Sequence, residues 1–432
     1  APPLPGAMAT AACAAVLLAA CLQPGAGAVD RSALEVALQQ VADAMRDKYD
    51  MSLAAALHAP GTAEISVASG FTDGGLGMGS RTRRARAEDP YVWGSTTKMF
   101  TAPAVLQLVE QGIVALDDPI SKHVDPFLMH VNGTKLEDQF GDAIHRVKIQ
   151  HLLHMTSGLQ DYDNAAYSKD QFENRSRDID PVDIIGRYVG PKLQFSPGTS
   201  QMYCSTNYVL LGLVLARHHH RNGTSWSWEG YDQASVIPAA LRKAFMNSTF
   251  ALSGTCDKYT PVHGFMESYS TAKLPPQDAC NVSCLGGWTA GNFVGPVRDV
   301  ARFTYELYSR THPSIVSARS QSLMTDFDSP GAFPHKFKFY GMGTFSLDWS
   351  VGRDEAYGHV GDTYGYQSQT TYFPELDLAL SVATNVETSS QAQPADFTCR
   401  AYHAVKAILQ GTPRPRCSFF VFHRFIGKCT CL

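Results

Sequence analysis

Between residues 33 and 50 apolar positions recur every three to four residues, the spacing of one helix face. Residues 51–59 and 63–71 then read as two short apolar strands, and Pro60-Gly61 between them suits a hairpin turn. A second apolar helix begins near Ser95 and runs to Gly112, a glycine stop. From there to about residue 290 the pattern predicts helices and long loops, with helices over 147–159, 181–190, 208–220 and 237–245. Another helix is predicted over 297–309, β-type patterning returns at 340–349, 366–373 and 377–386, and a last helix covers 395–409. Strands at both ends with helices between predict an α+β protein: a discontinuous α/β domain, its antiparallel sheet flanked by helices, with an inserted mainly helical domain. The cleft between the two parts is the expected active region.

The chain of 432 residues, 44% hydrophobic and 18% charged, has an ordinary globular composition. Its formal net charge of −4 gives no reason to expect nucleic acid as a partner. Arg81, Arg83, Arg84 and Arg86 form one basic cluster, but Glu88 and Asp89 follow at once, as in a solvated loop. Residues 1–28 read as a secretory signal, with an apolar run over 9–21, small residues Ala26 and Ala28 before the cut, and Met8 a candidate initiator. The run is too short to span a bilayer, so no stable membrane span is expected. Leu18-Ala19-Ala20-Cys21 also matches a bacterial lipoprotein box.

The asparagines weigh against that alternative. Of nine in the chain, five stand in Asn-x-Ser/Thr: Asn132, Asn174, Asn222, Asn247 and Asn281. This predicts a glycosylated, secreted or lumenal protein. Cysteine usage agrees, because eight remain beyond the signal, an even number that fits an oxidising compartment. Cys256, Cys280 and Cys284 flank one segment and are expected to staple it, zinc being the weaker alternative without paired ligand spacing. Cys429-Thr430-Cys431-Leu432 imitates a prenylation box, but disulfide bonding suits a lumenal chain better. His218-His219-His220 reads as a polar helix end, since no ligand spacing supports a metal.

The chemistry rests on Ser95 and Lys98, three residues apart at the head of the second helix, where they share one face. A serine hydroxyl becomes a nucleophile when a base takes its proton, and a lysine serves as that base when burial disfavours its charge. An N-cap serine beside an exposed lysine fits the same four residues. A second Ser-x-x-Lys, Ser270–Lys273, has no helix after it.

The wider sequence favours catalysis. Residues 93–124 and 147–159 resemble the serine β-lactamase-like hydrolases: class C β-lactamases, D-alanyl-D-alanine peptidases, D-amino-acid amidases and family VIII carboxylesterases. The resemblance continues through 195–216, the Gly-rich 286–303, 340–345, and 357–368, where His359-Val360-Gly361 stands for the family's Lys-Thr-Gly strand. It implies a β-lactamase/transpeptidase-like fold over 29–410, with the α/β part at 29–110 and 290–410, the helical part at 111–289, and a Cys-containing tail at 411–432. It also implies an acyl-enzyme on Ser95, proton transfer through Lys98 and Tyr203, no cofactor or metal, and a small-molecule or peptide-like substrate. His359, Gly361 and Asp362 would line the substrate, with the backbone N–H groups of Ser95 and Asp362 as the oxyanion hole. Tyr162–Asn164 is a second Tyr-x-Asn, but it lacks the Ser-Pro-Gly lead-in that precedes Tyr203.

Two positions depart from the family. Ser205 stands where the asparagine of Tyr-x-Asn is expected, and it has one donor where the amide has two. His359 replaces a lysine, removing a fixed charge for a substrate carboxylate unless the ring is protonated. Both changes point to esters or small amides, with β-lactam or peptidase activity, or a silent binding protein, as alternatives. Cys204, between Tyr203 and Ser205, is expected to be a buried thiol or half of a disulfide. No zinc cluster of the metallohydrolase kind is present in the sequence.

Overall fold

The computed structural model describes residues 31–60, 64–219, 226–245, 247–267, 276–311, 314–328, 339–352, 354–423 and 428–431. At its centre lies a six-stranded antiparallel sheet built from both ends of the chain. Its strands are β1 (Leu53–His58), β2 (Ile65–Ser69), β3 (Phe345–Ser346), β4 (Tyr357–Thr363), β5 (Tyr366–Phe373) and β6 (Leu378–Thr384), in the order β3-β4-β5-β6-β1-β2. The N-terminal hairpin joins the C-terminal strands through β1 and β6, from Leu53↔Thr384 to His58↔Ala379. Six helices matter for the site: α1 (Arg31–Tyr49), α2 (Lys98–Glu110), α3 (Ile120–Val131), α4 (Thr206–His218), α5 (Val297–Tyr308) and α6 (Gln393–Gln410).

β5 and β6 are buried along their whole length, which requires cover on both faces. α1 and α6 supply one layer. α1 buries Leu34, Leu38, Val41, Ala42 and Met45, one helical stripe, and Asp396 of α6 receives Lys48 Nζ at 2.6 Å and Tyr49 OH at 2.9 Å. α5 supplies the other layer, where Thr304 Oγ1 lies 2.6 Å from Thr370 Oγ1 of β5. The middle of the chain is mainly helical, as the pattern predicted. α2 from Lys98 to Leu106 and α4 from Thr206 to Ala216 are buried on every side, which matches their unbroken apolar sequences.

Some predicted elements are shorter than their patterns. The helix over 147–159 is confined to Ile149–Leu153, because Met155 (φ 60°) and Gly158 (φ 78°) turn the chain. The region 237–245 divides into Ala239–Arg242 and a 3-10 turn, Lys243–Phe245. Of 340–349 only β3 forms a strand, with Tyr340 making a single bridge to Phe345, since Gly341 packs against the Met324 carbonyl and Gly343 has φ 69°. The apolar pattern gave no sign of α3 or β4.

Cys256 is bonded to Cys284 and Cys399 to Cys417, whereas Cys204 and Cys280 are buried free thiols. The expected staple is therefore the Cys256–Cys284 pair, without Cys280. Phe420–His423 and Lys428–Cys431 pair as a hairpin in the tail, while the side chains of Cys429 and Cys431 lie outside the description. The predicted signal, Asn222, His220 and Ser270–Lys273 also fall outside the described residues. No described helix is long and apolar enough to cross a membrane.

The Cys256–Cys284 bond closes a loop of 28 residues. Replacing both cysteines by serine should lower the unfolding free energy by about 3–4 kcal/mol, measured by denaturant titration against the oxidised parent.

Candidate active site

Ser95 lies in a 3-10 turn, Gly94–Thr97, that runs directly into α2. The turn is fixed on every side. Trp93 Nε1 donates to Gly295 O at 2.8 Å, Thr97 Oγ1 donates to Gly94 O at 2.7 Å, and Phe293 N donates to Thr97 Oγ1 at 3.0 Å. Gly94 has φ 54°, and a Cβ there would lie 2.6 Å from Asp362 O and 3.0 Å from Asp362 N. The strand answers with its own glycine: a Cβ on Gly361 would meet Trp93 O at 1.9 Å. These two glycines let the backbone of β4 touch the Ser95 turn, which side chains would hold apart.

Lys98 is fully buried, one turn beyond Ser95. Its Nζ donates to Ser95 Oγ at 2.9 Å and to the Ala290 carbonyl at 2.9 Å. Ala290 belongs to the Gly-rich stretch singled out in the sequence, and α4 positions it. Thr289 Oγ1 donates to Tyr208 O at 2.8 Å, and Gly212 of α4 sits so close that a Cβ would meet Thr289 Oγ1 at 2.2 Å. Tyr203 stands over the pair, with Lys98 Nζ 5.1 Å from its ring centroid and Phe345 stacked on it at 5.6 Å. Ser95, Lys98 and Tyr203 are thus brought together from two separate parts of the chain.

His359 takes a different position from the one expected. Its ring is fully buried behind the cleft, with Nδ1 2.5 Å from Val360 O and Nε2 3.0 Å from Tyr340 OH. The carbonyl partner requires a proton on Nδ1, which leaves Nε2 to accept from Tyr340. Burial, and then the charge of Lys98, push its pKa well below the ordinary histidine value. The ring is therefore neutral and offers no cation to a substrate carboxylate.

The remaining predicted residues frame two cavities that meet at Ser95. One is lined by Ser95, Tyr203, Gly361 and Asp362, with Phe345 and Trp349 among its walls. The other is lined by Ser95, Ser205, Asp362, Tyr162, Asp163 and Tyr364. Ser205 is buried and lines the same cavity as Ser95, and Asn207 does not take its place, because its Oδ1 accepts from Ser157 Oγ at 2.6 Å. Cys204 is a buried free thiol whose pKa burial pushes up, as suits a packing residue. The rival Asn164 caps the helix Ala165–Glu173 with its side chain. His218 ends α4 with Nε2 3.0 Å from His123 Nδ1, and no cluster of metal-binding side chains occurs among the described residues. Asn132, Asn174, Asn247 and Asn281 are all exposed.

Sequence reasoning missed Tyr340, Asp163 and the far wall of the first cavity, formed by Gln367, Gln369, Gln391, Pro394 and Ala395. Gln367 and Gln369 carried a readable signal, polar residues at strand spacing on an otherwise buried strand.

A buried serine–lysine pair at the head of a helix, faced by a glycine-bearing strand, defines a serine hydrolase. The Beta-lactamase family matches residues 38–404, and the chain belongs to it. Protein flp of Staphylococcus aureus (strain MRSA252) is 30% identical over 178 residues, 40% of this chain and 32% of flp, so the match spans about a third of that relative. Among solved structures, the D-amino acid amidase of Ochrobactrum anthropi SV3 superposes with a TM-score of 0.67 at 22% identity, over 86% of this chain and 98% of the amidase. A D-stereospecific amidohydrolase from Streptomyces sp. superposes with a TM-score of 0.64 at 20% identity, over 88% and 99%. At these identities the two structures establish the fold.

The neutral His359 sets a pH dependence. Below about pH 6.5 the unfolded chain binds a proton there that the folded chain refuses, so stability falls as pH drops, by up to ~1.4 kcal/mol per pH unit. His154, held at about 4 by burial, acts in the same direction. His359→Gln should flatten the decline between pH 7 and 5 by about one proton's worth, read from denaturant unfolding at each pH.

Proposed function

We propose that this protein hydrolyses an ester or small amide through a covalent acyl-enzyme on Ser95. The observation that carries the reading is the 2.9 Å contact between Lys98 Nζ and Ser95 Oγ, with Lys98 fully buried behind the serine. Desolvation works against an ammonium, so the fully buried Lys98 suits the acceptor of the serine proton. Ser95 Oγ then attacks the carbonyl carbon, and the resulting oxyanion is held by the N–H groups of Ser95 and Asp362. The close approach of Gly94 to the Asp362 backbone supports this pairing. Tyr203 passes the proton to the leaving group, and the same relay activates the water that releases the acyl group.

The substrate class follows from charge. The described linings of both cavities contain no Lys, Arg or His side chain, and His359 is neutral and buried. A β-lactam or peptide whose recognition depends on its carboxylate would find no partner there. The similarity in fold to a D-amino acid amidase makes amides the second class to test after esters. We place the reaction in an oxidising, secretory compartment, which the two disulfides and the exposed sequon asparagines support.

Intact-protein mass spectrometry after a fluorophosphonate probe tests the nucleophile. The wild type should gain one adduct and folded Ser95→Ala none. A folded, unlabelled wild type would refute the reading, and a labelled Ser95→Ala would move the nucleophile elsewhere.

A further inference from the structure

The cavity at Ser95 has a second compartment. β3 pairs with β4 only at Phe345↔Gly358 and Ser346↔Tyr357, so beyond His359 one edge of β4 has no strand partner among the described residues. Opposed residues of an antiparallel pair share a face. Gly361↔Ser368 lies on the nucleophile side, where Ser368 Oγ donates to Trp93 O at 3.0 Å. Asp362↔Gln367 and Val360↔Gln369 lie on the opposite face, where Gln393 Nε2 of α6 donates to Gln367 Oε1 at 2.8 Å. Because one cavity is lined by Ser95 and by Gln369, it continues around the edge of β4 to the α6 side.

That compartment is rich in acceptors, and the amide donors of Gln367 and Gln369 are already used, Gln367 Nε2 also reaching Asp362 Oδ1 at 3.4 Å and Gln369 Nε2 also reaching Thr371 Oγ1 at 3.0 Å. Gln367 Nε2 donates to Thr388 O at 3.2 Å and Gln391 Nε2 to Asp362 Oδ2 at 2.6 Å. Gln369 Nε2 donates to Ser350 Oγ at 3.1 Å, and Ser350 spends its own proton on Leu347 O at 2.7 Å. The hydroxyl therefore offers Gln369 only a lone pair, which fixes the amide with nitrogen toward Ser350. Gln369 Oε1 has no hydrogen-bond partner among the described residues although the side chain is 1% exposed. A buried carbonyl without a donor is costly unless a ligand supplies one. The same cavity is lined by Asp362, whose carboxylate oxygens accept from Gln367 Nε2 and Gln391 Nε2, and by the half-buried Trp349 ring, and no cationic side chain lies in the described lining. Carboxylate, amide oxygen and aromatic ring together form the surroundings of an ammonium group.

We propose that this compartment holds a protonated amine of the substrate, so that Ser95 acts on esters or amides bearing a free ammonium group in preference to those bearing a carboxylate. Asp362 and Gln369 are its specificity-determining residues. The inference rests on the reading of Ser95 as nucleophile, and its test separates the two. Three aryl phosphonates, alike except for an ammonium, N-acetyl or N-succinyl terminus, are compared by their rates of modifying Ser95. In each case Oγ bonds to phosphorus and the aryloxide leaves with the serine proton. The ammonium probe should react about tenfold faster than the N-acetyl probe, and the N-succinyl probe slowest. The ratio of ammonium to N-acetyl rates should fall toward one in Asp362→Asn and Gln369→Met, and a ratio within one sample is insensitive to its folded fraction. Equal or reversed rates in the wild type, or a ratio untouched by both substitutions, would overturn the proposal. So would a Ser95 that reacts with a small fluorophosphonate but with none of the three probes. If even the fluorophosphonate leaves Ser95 unmodified, the hydrolase reading falls and takes this inference with it.

Discussion

Gly94 and Gly361 allow two backbones to meet where no Cβ fits, and the arrangement of the site depends on that contact. The strand β4 presses against the Trp93–Ser95 turn so closely that Gly361 faces the Trp93 carbonyl and Gly94 faces the Asp362 backbone. The contact sets the distance between Ser95 and the strand that walls the cleft. It also joins segments distant in the chain, because the turn leads into α2 while β4 belongs to the C-terminal strands of the sheet. Around it, Ser368 and Thr96 add hydroxyl contacts that hold the turn in register.

The electrostatics of the site follow from what is buried behind this contact. Lys98 is enclosed between Ser95 Oγ and the Ala290 carbonyl, and two phenols, Tyr203 and Tyr208, face it. His359, sharing the same dry interior, stays neutral beside the lysine. Each adds a polar function to the interior without adding a charge. On the solvent side the charge runs the other way, with Asp362 and Asp163 on the cavity walls. The site thus presents carboxylates and neutral acceptors to its substrate.

Much of this was legible in the sequence, for physical reasons. The stripe of α1, the all-round apolar runs of α2 and α4, and the buried strands β5 and β6 are patterns that burial imposes on composition. The Ser95–Lys98 pair was locally ambiguous, and distant blocks of the chain gave it weight. β4 escaped the pattern because Gly358, His359 and Gly361 weaken its strand signal, although they serve the contact with the turn. α3 carries Pro126 within it, which conceals a helix from a reading by breakers. The buried position of His359 and the placement of Gln391, Pro394 and Ala395 on the cavity wall were illegible, since both depend on packing between elements distant in sequence from Ser95.

The central claim is that Lys98 activates Ser95, and the most direct measurement is the second-order rate of Ser95 modification by a small fluorophosphonate in Lys98→Met. With the fold confirmed by circular dichroism, that rate should fall about 100-fold or more below the wild type. A folded Lys98→Met protein that reacts at the wild-type rate would contradict the account.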